Sequence, residues 1–79
     1  MHQDKRELVR NVVTEIARQK VRDDELLVSS GIIDSLRVLT LISGLEDQLQ
    51  IRIPTEQVQP EDFDSVDLIL ETIERVALS

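Results

Sequence analysis

The residue types that ordinarily do chemistry are scarce in this chain. There is no Cys, the one His is His2, and the acids are spread over what read as helix surfaces and loops. No spacing assembles a nucleophile with its base, a metal cage or a paired-carboxylate dyad, which argues against catalysis. Asp23-Asp24-Glu25 gathers charge but lacks the glycine-punctuated ligand spacing of a calcium loop, so it reads as a solvated turn. What remains is Ser35, within Gly31-Ile32-Ile33-Asp34-Ser35-Leu36. A serine opening a helix with no base beside it is a poor nucleophile on its own account. The unpaired amides and positive end of that helix nevertheless favour a phosphodiester, so the chemistry to expect is acceptance of a phosphate-linked group from another enzyme. The tripeptide alone identifies nothing, because Asp64-Ser65-Val66 is a near copy further along.

The elements that must position Ser35 follow from apolar spacing. Residues 4–21 carry Leu8, Val9, Val12, Val13, Ile16 and Ala17 on one helical face, with Asp4 as its cap and Arg18 and Lys20 at its negative end. Residues 22–33 lose that period and form a long loop, which Leu26, Ile32 and Ile33 are expected to tack onto the core. Gly31 supplies backbone freedom just before the next helix. That helix should run from Ser35 to Leu49 with Asp34 as N-cap. Its core face is Val38, Leu41, Ile42, Leu45 and Leu49; Leu36, Thr40, Ser43 and Asp47 lie opposite, with Leu39 on the flank. Residues 50–54 alternate apolar and polar and end at Pro54, as an extended connector would. Pro60 can open one short helical turn, and Phe63, the only aromatic, should plug the core. A last helix over residues 65–78, capped by Asp64 or Ser65, buries Val66, Ile69, Leu70, Ile73, Val76 and Ala77, with Glu71 and Arg75 as an i, i+4 pair.

Seventy-nine residues, 41% of them hydrophobic, suit one small soluble all-α domain, residues 1–79. With no Cys the chain has neither a disulfide framework nor a redox motif, which fits a reducing, cytoplasmic setting. No apolar run approaches the ~20 residues of a membrane span, and the charged opening is unlike a secretory signal, so the expectation is a soluble, unprocessed protein. Sixteen acidic against nine basic residues disfavour nucleic acid as a partner and favour basic or apolar protein surfaces.

Taken together, Gly31-Ile32-Ile33-Asp34-Ser35-Leu36 after a long loop, Leu45-Glu46-Asp47, the connector Ile51-Arg52-Ile53-Pro54 and the spacing of the last helix resemble the acyl carrier protein family over nearly the whole chain. The resemblance implies a bundle of three main helices plus one short third helix. It implies a 4′-phosphopantetheine, derived from coenzyme A, on Ser35 with Asp34 beside it. Leu36, Leu39 and Thr40 match positions that face partner enzymes, and Arg37 is expected to influence partner choice. The implied partners are a phosphopantetheinyl transferase, an acyl- or amino-acid-activating ligase and a downstream acceptor, served by a non-catalytic monomer. The arm would supply the thiol that a chain without Cys lacks, and the cargo would ride on it as a thioester. Fatty-acid carriers usually have an acidic second helix, whereas Arg37, Thr40 and Ser43 stand outward here and acids return only at Glu46 and Asp47. In that respect, and in Arg52-Ile53-Pro54 with Glu61-Asp62-Phe63-Asp64-Ser65, the chain looks more like free-standing D-alanyl and aminoacyl carriers. Leu49 departs from the Phe of many carriers. A fatty-acyl or polyketide carrier is the alternative, and a small acidic interaction module without a cofactor is the alternative of a different class.

Overall fold

The computed structural model describes residues 4–77, so His2 and Leu78 lie outside the described residues. Asp4 opens the first helix, α1 (Lys5–Ala17), by accepting the Arg6 N–H at 3.1 Å, and α1 buries Val9, Val12 and Val13 at helical spacing. It ends four residues short of the expected residue 21. Arg18 adopts a left-handed conformation (φ 60°, ψ 30°) and gives its N–H to the Thr14 carbonyl, which closes the last turn and redirects the chain. Val21 is still buried, but from the loop.

In that loop Leu27 and Ile33 are wholly buried, while Leu26 is 51% exposed and does not pin it as expected. The reason is tertiary: the Leu27 N–H donates to the Asp64 carbonyl at 2.7 Å and to Asp64 Oδ1 at 3.1 Å, which turns Leu27 inward and leaves Leu26 facing water. Asp23 is no solvated turn either. Its carboxylate receives the guanidinium groups of Arg10 (2.9 Å) and Arg6 (2.8 Å), and Arg6 also reaches Asp67 at 2.6 Å. Four side chains thus tie α1, the loop and the start of the last helix together.

The second helix, α2, spans Ser35–Leu49 as the spacing requires and buries Val38, Leu41, Ile42 and Leu45, with Leu49 partly buried. It lies close against α1: a Cβ on Gly44 would stand 3.0 Å from Val12 Cγ1. Beyond it Ile53 is buried, and its N–H donates to the Glu46 carboxylate at 2.8 Å. Where one helical turn was expected there are two 3-10 turns, Thr55–Gln57 and Pro60–Phe63. The second delivers Phe63 to the centre of the core, a burial that contributes roughly 2 kcal/mol.

The last helix, α3 (Val66–Val76), is capped by Ser65, whose hydroxyl accepts the Leu68 N–H at 3.1 Å. It buries Val66, Ile69, Thr72, Ile73 and Val76, with Leu70 and Ala77 partly covered. Arg75 pairs with Asp62 at 3.6 Å rather than with Glu71. Thr72 explains this, since its hydroxyl donates to the Asp62 carbonyl at 3.1 Å and draws that 3-10 turn against α3. The architecture is an all-α bundle: three helices, with the two 3-10 turns ahead of the last. Among the described residues no helix is long and apolar enough to cross a membrane.

Candidate functional site

Ser35 is the first residue of α2 and is exposed. Its cap, Asp34, accepts the Arg37 N–H at 2.9 Å through the carboxylate and the Val38 N–H at 3.1 Å through the carbonyl. The amides of Ser35 and Leu36 precede any intrahelical acceptor, so two N–H donors point out of the helix beside the serine hydroxyl. The first turn contains no acid. Such an end suits a phosphodiester, because the amides and the positive helix end favour negative charge.

The backbone leading to Ser35 is held on both sides of a turn. Gly31 has φ +86°, a conformation side chains rarely adopt, and its N–H donates to the Val28 carbonyl at 3.1 Å. Two residues on, the Ile33 N–H donates to the Leu27 carbonyl at 2.9 Å, and the Ile33 side chain is wholly buried. Ser35 therefore stands at a fixed place rather than on a loose loop.

Beside it lies a shallow depression of about 100 Å³ lined by Val38, Leu39, Ile42, Val58 and Phe63. On the outward face of α2, Leu36 is 79% and Leu39 59% exposed, and Thr40, Ser43 and Asp47 are exposed as well. Arg37 does not share that face freely. It is half-buried, and its guanidinium donates to the Ile16 carbonyl at the end of α1, where backbone acceptors would otherwise lack partners. With Glu46 turned to the connector, the outer face of α2 is less charged than the sequence suggests.

The second tripeptide is put to different use. Ser65 is buried and occupied as a cap, and the Asp64 carboxylate, 8% exposed, is surrounded by the loop. Asp64 Oδ1 accepts the amides of Leu27 (3.1 Å), Val28 (2.7 Å) and Ser29 (2.9 Å), while Oδ2 accepts the Ser29 hydroxyl. Burial pushes this carboxyl up, but the Ser29 hydroxyl and the three amides outweigh it, leaving the pKa below the usual carboxylate range. Nothing local in the sequence marks Asp64 for this role; its partners are 35 to 37 residues away.

The structure thus offers an exposed hydroxyl at the positive end of a helix, flanked by outward leucines. A family profile described as "Phosphopantetheine attachment site" matches residues 7–73, and the chain belongs to that family. It is 28% identical over 72 residues to a D-alanyl carrier protein of Streptococcus suis (strain 98HAH33), covering 89% of this chain and 91% of the relative. To the D-alanyl carrier protein of Streptococcus sanguinis (strain SK36) it is 30% identical over 64 residues, 78% of this chain and 81% of the relative. To that of Streptococcus uberis (strain ATCC BAA-854 / 0140J) it is 34% identical over 53 residues, 67% of each chain. The protein is thus a carrier of the phosphopantetheine-binding type, with 4′-phosphopantetheine as its covalent cofactor.

Proposed function

We propose that Ser35 is the attachment point and that the chain shuttles a thioester-bound aminoacyl group, D-alanine by analogy with its relatives, from an activating ligase to an acceptor. The observation that carries this reading is the contrast between an exposed Ser35 at an open helix end and a buried Ser65 already in use. The attached arm supplies the thiol that the sequence lacks. The chain's own residues fix and expose the serine: Asp34 caps α2, Gly31 makes the turn and Ile33 anchors it.

One observation favours a small cargo and a second bears on the partner. The depression beside Ser35, about 100 Å³, falls well below the roughly 300 Å³ at which pockets begin to enclose small molecules, so a long acyl chain finds no ready shelter there. The outer face of α2 is also apolar and nearly uncharged around Leu36 and Leu39, which suits a partner that does not depend on an acidic helix. In this reading the chain itself is non-catalytic, acts in the cytoplasm, and presents Leu36, Leu39 and Thr40 to its enzymes.

The test is sequential. Intact mass after incubation with coenzyme A and a broad-specificity phosphopantetheinyl transferase should rise by one phosphopantetheinyl group. The modified protein should then be loaded by a D-alanine-activating ligase in preference to a fatty-acyl ligase. Failure to gain the group defeats the attachment reading, and preferential fatty-acyl loading defeats the choice of cargo.

A further inference from the structure

Asp64 belongs to α3's entry, yet among the described residues every polar contact of its carboxylate is with the loop that leads to Ser35. The route can be followed bond by bond. Asp64 fixes the amides of Leu27, Val28 and Ser29; the Leu27 carbonyl then receives the Ile33 N–H at 2.9 Å, and the Val28 carbonyl receives the Gly31 N–H at 3.1 Å. Ile33 is bonded directly to the cap Asp34, which precedes Ser35. One carboxylate therefore organises three consecutive amides, and the carbonyls of the first two of those residues hold the turn that sets the serine. From this geometry we infer that Asp64 is a positioning residue for Ser35, holding the loop in the conformation that the modifying enzyme must meet.

The chemistry supports the carboxylate in particular. Three N–H groups converge on one oxygen, with a hydroxyl on the other; an aliphatic side chain would leave the Val28 and Ser29 amides without that acceptor, while the Leu27 N–H would keep only the Asp64 carbonyl. Asp64→Ala removes all four acceptances. Asp64→Asn keeps an amide oxygen for the three N–H groups but presents an NH₂ to Ser29, whose hydroxyl must turn from donor to acceptor. The two variants should therefore grade the effect. Asp67, in the first turn of α3, is committed to Arg6 and does not substitute.

The inference rests on Ser35 being the attachment site, and the experiment separates the two. Full-length wild type, Asp64→Asn and Asp64→Ala are compared by residue-resolved amide exchange and by kcat and KM for transfer from coenzyme A by a phosphopantetheinyl transferase, at a temperature where circular dichroism shows each folded. Expected for Asp64→Ala is loss of protection at Val28, Ser29, Gly31 and Ile33 with the α1 and α2 interiors still protected, and at least a tenfold fall in kcat/KM carried by KM. Asp64→Asn should fall by about threefold and retain most loop protection. Wild-type kcat/KM in Asp64→Ala, or protection lost evenly over the whole chain, overturns the inference. Should Asp64→Ala fail to fold, Asp64→Asn decides: unchanged exchange at Ser29 with unchanged kcat/KM is the contrary result. An adduct on a wild-type residue other than Ser35 refutes the attachment reading instead, and the exchange pattern still reports on the loop.

Discussion

Ser35 and Ser65 sit in near-identical tripeptides but one helical position apart: Ser35 is the first residue of α2 behind the cap Asp34, whereas Ser65 is itself the cap of α3. The shift by one residue decides what each hydroxyl is free to do. Ser65, 4% exposed, accepts the Leu68 N–H, while the capping of α2 is done by Asp34 and leaves Ser35 in solvent. Ser65→Ala should therefore cost about 1 kcal/mol of stability in urea unfolding, the ordinary value of a lost N-cap. It should leave transfer of the phosphopantetheinyl group unchanged at temperatures where the variant is folded.

Arg37 joins the first turn of α2 to the end of α1 through the Ile16 carbonyl. Its removal should be felt in stability before partner choice. Arg37→Met, which keeps much of the aliphatic stem, should lower unfolding free energy by about 1 kcal/mol, the net worth of a partly exposed hydrogen bond of this kind. Denaturant melts measure it; an unchanged midpoint would show that the bond contributes nothing in solution.

The extent to which all this was legible in the sequence follows the range of the interactions involved. Apolar spacing places α2 from Ser35 to Leu49 and its buried residues Val38, Leu41, Ile42 and Leu45, because helical period is a local property. The end of α1 is not legible that way: Val21 continues the apolar pattern, yet Arg18 has already turned left-handed. Leu26 and Leu27 are indistinguishable by type, and only Asp64, 37 residues on, selects Leu27 for the core. The same holds for Arg75, drawn to Asp62 by a fold-back, and for Arg37, which a helical wheel sets outward but Ile16 draws in. At the candidate site, the serine, its cap and the outward leucines come from sequence; the clamp that fixes their approach comes only from tertiary structure.

Acid should weaken the link between α1, the loop and α3 in a defined window. Arg10, then Arg6, hold the Asp23 carboxyl down to about 2 by hydrogen bonding and charge. A carboxyl with a depressed pKa in the folded state binds fewer protons there than in the unfolded chain. Its stabilisation is thus complete above the ordinary carboxylate pKa of about 4 and is lost as pH falls toward about 2. Wild type should lose stability more steeply than Asp23→Asn between those values, and the two curves should converge at the acid end. Parallel curves over that window would show that the pairing with Arg6 and Arg10 does not persist in solution.

Leu39 and Leu36 offer the complementary test on the outer face, where stability is not at stake. Both are largely exposed, so Leu36→Asp should change unfolding free energy by less than about 0.5 kcal/mol. If partner enzymes grip this face, the same substitution should reduce kcat/KM for phosphopantetheinyl transfer at least tenfold. Loss of stability in step with loss of transfer would instead make Leu36 a structural residue.

The most direct measurement of what the protein does is the position of the adduct. Wild type, Ser35→Ala and Ser65→Ala are incubated with coenzyme A and a phosphopantetheinyl transferase, and the products are mapped by peptide mass spectrometry. The prediction is one phosphopantetheinyl group on Ser35 in wild type and in Ser65→Ala, and none in Ser35→Ala. An adduct that persists in Ser35→Ala, or no adduct on any of the three, would contradict the assignment of Ser35 as the anchor.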